Sequence, residues 1–287
     1  MFKNTMKTTV LLAALGGLIV AVAGALGGGS SGSFTIGVVL ALVMVGGSYW
    51  FSDRLALRAA RATVIERNDA PEFYDIVALL AQRAGMPMPR VAISPSEQPN
   101  AFATGRGPNN AVVCATSGLL QSMPRNEVEA VMAHELMHVK HRDILIGSVA
   151  AAVATAISYI AQMAMFASMF AGGRDDEDRP NPIAMLLMSL LAPIAASLIQ
   201  MAISRSREFE ADRGAAELLG TGRSLADALE RIETLAARRP MMVAPAQAQA
   251  YIHNPLAEFR GGRQSSMARL FSTHPSTEER ISRLRAM

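Results

Sequence analysis

Four long stretches of this chain contain no charged side chain, and they constrain the fold more than any other feature of the sequence. They cover residues 8–28, 34–51, 144–173 and 183–204. A helix of about 20 mostly apolar residues can cross a membrane, where every backbone polar group needs a partner inside the protein. The sequence therefore predicts four transmembrane helices in two hairpins, and the apolar fraction of 51% fits that class of protein.

The basic residues beside these stretches predict the orientation of the chain in the membrane. They precede the first and third stretches and follow the second and fourth: Lys3, Lys7, Arg54, Arg58, Arg61, Lys140, Arg142, Arg205 and Arg207. Because Lys and Arg near the ends of spans stay inside the cell, we expect both termini and the soluble parts to face the cytoplasm. A signal peptide cleaved near Ala23 is the alternative for the first stretch, and it leaves this orientation unchanged.

Net charge and cysteine content exclude other classes of protein. The net charge is only +3 and the basic residues cluster beside the apolar stretches, so the sequence indicates no nucleic-acid partner. Cys114 is the only cysteine, which excludes an intramolecular disulfide and argues strongly against a cysteine-ligated zinc site. We expect Cys114 to be a small buried residue in a strand.

The sequence His134-Glu-Leu-Met-His138 predicts a metal site on a helix. Good helix formers precede it from Asn126, and no Gly or Pro interrupts the chain before Gly147. Two histidines four residues apart lie on one helix face and can share a zinc ion, while Glu135 can act as a general base on a water molecule at that zinc. The motif is typical of metal-dependent peptide hydrolysis.

A catalytic zinc normally has three protein ligands, so this site requires one more. The remaining candidates are His141, His253, His274, Glu208, Glu210 and Asp212. A histidine at position 141 would have to reach back past Glu135. Glu208 and Asp212 are four residues apart and share a helix face, so one can bind the metal while the other supports a histidine. The alternative is that residues 205–213 form a solvated charged run beside the membrane.

The segments between the apolar stretches predict a small domain of helices and strands. Periodicity and turn residues place helices at 69–84, 208–212, 224–238 and 275–284 and strands at 90–94, 101–104 and 111–115, the last two as a hairpin. Prolines and glycines in residues 240–272 predict a long irregular segment.

The predicted fold class is thus α+β, mostly α, interrupted by four transmembrane helices. Its parts are a transmembrane hairpin at 1–52, a first protease part with the metal-binding helix at 53–143, a second transmembrane hairpin at 144–204, and a second protease part with the third ligand at 205–287.

Four motifs resemble those of one family of membrane enzymes. They are His134-Glu-Leu-Met-His138, Glu208-Phe-Glu-Ala-Asp212, Asn100-Ala-Phe-Ala103 and Thr273-His-Pro-Ser-Thr-Glu-Glu-Arg-Ile281. Together with the four-span layout, they are similar to the HtpX-type zinc endopeptidases of the bacterial cytoplasmic membrane, relatives of the CAAX prenyl endopeptidases. The resemblance covers nearly the whole chain.

This resemblance implies a gluzincin-like fold, one zinc ion (Zn2+) per chain, and the turnover of damaged membrane proteins in the cytoplasmic membrane. By resemblance, His134, His138 and Glu208 are the zinc ligands and Glu135 is the general base. Asp212 then does not bind the zinc but supports the ligands from outside the coordination shell.

Further residues are candidates for roles around the metal. His274 precedes a capped helix and can donate to the oxyanion of peptide cleavage, and Arg280 can fix the acidic helix or the periphery of the site. The candidate substrate-binding segment is an exposed strand edge whose backbone can pair with an extended peptide: Asn100, Ala101, Phe102 and Ala103. An ordinary interior strand is the alternative for this segment.

The leading hypothesis is an integral membrane zinc endopeptidase that cuts unfolded or damaged membrane proteins at their cytoplasmic segments. A CAAX-type prenyl protease is one alternative, but its lipidated substrate calls for a larger chamber than four spans can build. A catalytically silent membrane scaffold is the other, and the intact Glu135 between two histidines argues against it.

Overall fold

The computed structural model describes residues 30–144, 205–238, 251–252 and 275–287, together with scattered residues between 6 and 24. The helices in these ranges are α1 (Ser31–Trp50), α2 (Ser52–Ala59), α3 (Pro71–Arg83), α4 (Ser117–Ser122), α5 (Arg125–His141), α6 (Arg205–Leu219), α7 (Arg223–Ala236) and α8 (Thr277–Arg285). The strands are β1 (Thr63–Ile65), β2 (Arg90–Ser94), β3 (Ala101–Gly105) and β4 (Ala111–Thr116). The fold is α+β and mostly helical.

The four strands form one small mixed sheet in the order β1-β2-β4-β3. β3 and β4 are an antiparallel hairpin, whereas β2 runs parallel to β4 and β1 is antiparallel to β2. Gly105 ends the hairpin strand with a φ of +125°, and a Cβ there would lie 2.1 Å from the carbonyl oxygen of Asn110. Only glycine fits this turn. β3 pairs with β4 alone among the described strands, so it is an edge of the sheet.

The two faces of the sheet bury different partners, because successive side chains of a strand point to opposite faces. Ala101 and Ala103 face the helical side, where α3, α5, α6 and α7 form the main core. Phe102 and Cys114 face the other side and pack with Leu57 of α2 in a smaller cluster. Helix α5, which carries the predicted metal motif, therefore packs on the small-residue face of β3.

Several expected elements agree with the structure. β2 has the predicted bounds, β3 and β4 each extend one residue further, and Cys114 is buried in β4 as expected. The capped terminal helix is also confirmed, because the Ser276 hydroxyl accepts a hydrogen bond from the Glu279 N–H at 3.2 Å.

Other expectations were wrong in detail. α3 begins at Pro71, two residues after the predicted start, and the Asp69 carboxylate accepts a hydrogen bond from the Glu66 N–H at 2.8 Å. α7 runs from Arg223 to Ala236, so it begins one residue before its predicted start and ends two residues before its predicted end. β1, α2 and the short helix α4 were not predicted.

The apolar stretches are described only in part. Most of the predicted span at 8–28 and nearly all of those at 144–173 and 183–204 lie outside the described residues. Among the described helices, none alone is long and apolar enough to cross a membrane, but α1 and α2 together meet that criterion by length and composition across a bend of 69°.

Candidate metal centre

His134, Glu135 and His138 lie on α5, which the rest of the fold holds in place near its start. Near its start, the buried Glu127 carboxylate accepts two hydrogen bonds from Arg231 of α7, at 2.7 and 2.9 Å. His134 is fully buried and His138 retains some exposure. The Nε2 atoms of the two histidines are 3.0 Å apart, as expected for side chains that share one face of a helix.

Glu208 approaches the two histidines from α6. One carboxylate oxygen lies 3.7 Å from Nε2 of His134 and the other 3.6 Å from Nε2 of His138. α6 packs close to α5 at Gly214, where a Cβ would lie only 2.8 Å from the Met137 side chain. The close packing of α6 on α5 thus brings the Glu208 carboxylate next to both imidazole rings.

These three side chains form a group that could hold a metal ion. A tetrahedral zinc with bonds of about 2.0–2.2 Å separates its ligand atoms by about 3.3–3.5 Å, close to the three distances above. Two imidazoles and one carboxylate are also the donor set of many catalytic zinc sites. The residues present therefore fit zinc in both chemistry and spacing.

Asp212 and Arg280 lie behind His134. Nδ1 of His134 is 2.9 Å from Oδ1 of Asp212, and the Arg280 guanidinium donates two hydrogen bonds to the Asp212 carboxylate at 2.9 and 2.7 Å. Burial opposes the ionised form of Asp212, but Arg280 and His134 outweigh it and hold the pKa of Asp212 below its ordinary value. Burial lowers the pKa of His134, which favours the neutral imidazole that a metal requires.

His138 has a carboxylate behind it as well, from a residue that the sequence reasoning missed. Nδ1 of His138 is 3.2 Å from Oδ2 of Asp143, which is buried just after the end of α5. Burial opposes protonation of His138, but Asp143, Glu208 and Glu135 raise its pKa to about 10. The signal that could have identified Asp143 is an acidic residue at the C-terminal end of a helix, where its charge is unfavourable.

Glu135 is buried between the metal-binding face of α5 and β3. Burial raises its pKa to about 7, and the neighbouring backbone of Ala103 offsets a small part of that rise. A carboxyl group with such a pKa can both accept and release a proton near neutral pH.

The predicted substrate segment, Asn100–Ala103, lies on and just before the edge strand β3. All four residues are buried, and the chain itself pairs with part of the edge: the Ile252 N–H donates to the Ala101 carbonyl at 3.0 Å. Tyr251 bridges to Phe102, and their rings meet edge to face with centroids 5.1 Å apart. The position of the segment at a sheet edge agrees with the expectation, whereas its exposure does not, because residues 251–252 cover the start of that edge.

Arg280 and His274 are the remaining residues that the sequence predicts near the metal. Arg280 contacts the acidic helix through Asp212, and its guanidinium also lies 3.6 Å from Glu208. His274 lies outside the described residues.

Comparison with known proteins gives a consistent result. The family model of Peptidase family M48 matches residues 68–287. The chain is 52% identical over 288 residues to a protease HtpX homolog of Burkholderia lata and 51% identical to that of Burkholderia thailandensis, and each alignment covers 99% of this chain and 97% of the relative.

A solved structure has a similar fold. The crystal structure of S. mikatae Ste24p superposes with a TM-score of 0.50 at 21% identity, covering 99% of this chain and 65% of that one. The chain thus spans slightly less than two thirds of Ste24p, and the likeness is one of fold.

Proposed function

The chain belongs to Peptidase family M48 and is a metalloprotease homologous to HtpX, and on that premise we propose that it is a zinc-dependent endopeptidase of a bacterial cytoplasmic membrane. Its substrates are unfolded or damaged membrane proteins, which it cuts on the cytoplasmic side. The observation that carries the zinc chemistry is the convergence of His134, His138 and Glu208 beside a buried glutamate.

In this proposal, His134, His138 and Glu208 hold one zinc ion per chain. Bound there, zinc would act as a Lewis acid on the scissile carbonyl and lower the pKa of a water molecule. Asp212 keeps the His134 ring in the tautomer whose Nε2 is free to bind, and Arg280 keeps Asp212 ionised and in place. Glu135 is not one of the zinc ligands in this proposal.

Glu135 moves the protons of the reaction. Its carboxylate accepts a proton from the attacking water and passes that proton to the amine that leaves, a cycle that suits a pKa near neutrality. The backbone of Ala103 lies next to this carboxylate. His274 remains our candidate donor to the oxyanion, on the strength of its place in the sequence before α8.

Substrate binding in this proposal uses the edge of β3. An extended peptide that pairs with a strand edge is held by backbone hydrogen bonds, which gives affinity with little sequence preference. The backbone of Ala103 lies beside the Glu135 carboxylate, so this part of the edge is next to the general base, whereas the Ala101 carbonyl is already paired with the Ile252 N–H. We therefore propose that the substrate backbone is aligned near Ala103.

Backbone pairing can be tested by methylating single amide nitrogens along a peptide substrate. Only every second N–H of a strand faces its partner, so the KM should rise and fall with a period of two residues as the methyl group is moved. A uniform effect at all positions, or none, would contradict pairing with the edge.

Membrane insertion is supported by the surface of α1. The helix has no charged residue, and large apolar side chains on several of its faces are exposed: Phe34, Ile36, Val38, Leu40, Leu42 and Val43. Such a surface is unfavourable in water and favourable in lipid. Tyr49 and Trp50 lie at its end, followed by Arg54 and Arg58, the pattern of a membrane interface on the cytoplasmic side.

Cysteine labelling tests the four-span orientation. In a Cys114→Ser background, a cysteine at Asp176 should react with a membrane-impermeant maleimide in intact cells. A cysteine at Ser206, which is exposed at the start of α6, should react only after the membrane is opened. Labelling of position 206 in intact cells would reverse the orientation, and protection of both positions would contradict two full spans.

The proposed function is tested by zinc analysis and proteolysis with Glu135→Gln. In detergent, wild type and variant should each bind about one zinc per chain, and only the wild type should cleave a partly unfolded membrane substrate. Glu129→Gln is the matched control, because Glu129 lies on the same helix but contacts Arg125 away from the site, and it should cleave normally. Cleavage by Glu135→Gln would remove Glu135 from its role.

A further inference from the structure

Asp143 has no role in the mechanism above, yet its surroundings are those of a functional carboxylate. It is buried, with Oδ2 3.2 Å from Nδ1 of His138, and its Oδ1 accepts no hydrogen bond from the described residues. Arg207 of α6 interacts electrostatically with both Asp143 and Glu208. Asp143 thus lies against one histidine of the metal centre, with a buried positive charge nearby.

The backbone at the end of α5 holds Asp143 in this position. α5 ends at His141, and Arg142 adopts the left-handed conformation with a φ of 58°. The chain then turns back, so that the Asp143 N–H donates to the His138 carbonyl at 3.2 Å. Both the backbone and the side chain of Asp143 therefore contact residue 138.

A purely structural helix cap does not explain the residue type. The C-terminal end of a helix carries a partial negative charge, and Lys, Arg or Asn is favoured there over a buried aspartate. Burying a carboxylate also costs free energy unless a charged or hydrogen-bonding partner compensates. The contact with the His138 ring supplies that partner, which accounts for an acidic residue at this position.

We propose that Asp143 is a positioning residue of the zinc site, whose carboxylate accepts a hydrogen bond from Nδ1–H of His138 and so directs Nε2 at the metal. The proposal rests on the zinc site argued above. It makes the metal centre symmetric in one respect: His134 is held by Asp212, and His138 is held by Asp143. Carboxylates that hold ligand histidines in this way commonly contribute 10–100-fold to metal affinity.

Zinc affinity, measured without reference to activity, tests the proposal. The full-length chain in detergent carries Glu135→Gln throughout, so that proteolysis does not interfere, and the dissociation constant is obtained by competition with a chelator. Asp143→Ala should raise this constant about 10–100-fold. Asp143→Asn should raise it less, because the amide oxygen can still accept a hydrogen bond from Nδ1–H of His138. The visible absorption of bound Co2+ should change in both variants.

Glu127→Gln is the matched control. It also removes a buried carboxylate from α5, where Glu127 pairs with Arg231, but it lies away from the metal. It should lower the melting temperature and leave the zinc dissociation constant unchanged within about twofold.

Two results would overturn the proposal while the zinc site stands. One is a zinc constant for Asp143→Ala within twofold of the parent, and the other is an equal loss of affinity in Glu127→Gln. A parent protein that binds no zinc would contradict the proposed function, and this inference with it.

Discussion

The two histidines of the candidate metal centre are held in place in different ways. His134 is fully buried, and its support comes from Asp212 on α6 and Arg280 on α8, which are 68 residues apart. His138 is partly exposed, and its contact is Asp143, only five residues further along the chain. One half of the centre is assembled by tertiary packing and the other by a local turn.

This difference predicts how substitutions on each side of the centre should affect stability and metal binding. The His134 half depends on α5, α6 and α8 being docked, so a change there should lower stability as well as metal binding. The His138 half forms with the end of α5, so a change there should act mainly on the metal. Glu208 contacts both halves and is the one residue whose loss should disable them together.

The largest expected effect follows from that shared position. Glu208→Ala should reduce bound zinc from about one per chain to a small fraction and abolish proteolysis, because two ligands leave the zinc shell incomplete. Glu210→Ala, two residues away on an exposed face of α6, should retain both zinc and activity. Zinc analysis after gel filtration measures the difference. Equal behaviour of the two variants would mean that the third ligand is another residue.

A second prediction concerns the His134 half, which depends on packing between helices. Arg280→Met should destabilise the protein by about 3–5 kcal/mol, because it leaves the buried Asp212 carboxylate without its charged partner. Arg285→Met is the control on the same helix, since its ion pair with Glu230 is exposed and should contribute less than about 1 kcal/mol. Denaturant unfolding in detergent compares the two. A similar small effect for both would show that the His134 half does not depend on this ion pair.

A third prediction uses pH to test how completely the site is closed to water. In the zinc-free folded protein, burial raises the pKa of Glu135 from 4.5 to about 7. Between these values the folded state holds a proton that the unfolded chain has lost. The stability from this group is therefore full below about pH 4.5 and lost as the pH rises through about 7, a change on the order of 3 kcal/mol.

Glu135→Gln should remove this dependence. The stability of the zinc-free variant relative to the zinc-free wild type should therefore rise as the pH rises from about 4.5 to 7. Melting temperatures of both proteins across this range measure it. A constant difference would mean that Glu135 is as accessible to water as an ordinary surface carboxyl.

The same contrast explains what the sequence could predict. The placement of His134 and His138 on one helix face could be predicted because helix periodicity is local, and β2 was placed correctly because alternation and flanking turns are local too. Glu208 and Asp212 were identified as a pair from their four-residue spacing. Their meeting with α5 depends on packing between segments of the chain that are far apart, for which the resemblance to a known family supplied the argument.

Features without a local pattern were missed. The strand β1 has only three residues, and its pairing with β2 is visible only once the sheet exists. The contact of Ile252 with Ala101 joins residues about 150 positions apart and covers an edge that was expected to be exposed. Asp143 is the exception, because its signal was local: an acidic residue just after a helix that ends in Lys140 and His141.

The smallest expected effect concerns the His138 half, at the turn formed by Arg142. Arg142 lies in the left-handed region, which costs a residue with a Cβ about 1 kcal/mol, and glycine has no such cost. Arg142→Gly should therefore keep the zinc dissociation constant and change stability by no more than about 1 kcal/mol. Arg142→Val introduces a β-branched side chain that resists this conformation, so the turn should shift, move Asp143 away from His138 and weaken zinc binding several-fold. Chelator competition on both variants decides the point, since equal zinc affinities for Gly and Val would mean that the turn at Arg142 does not position the carboxylate.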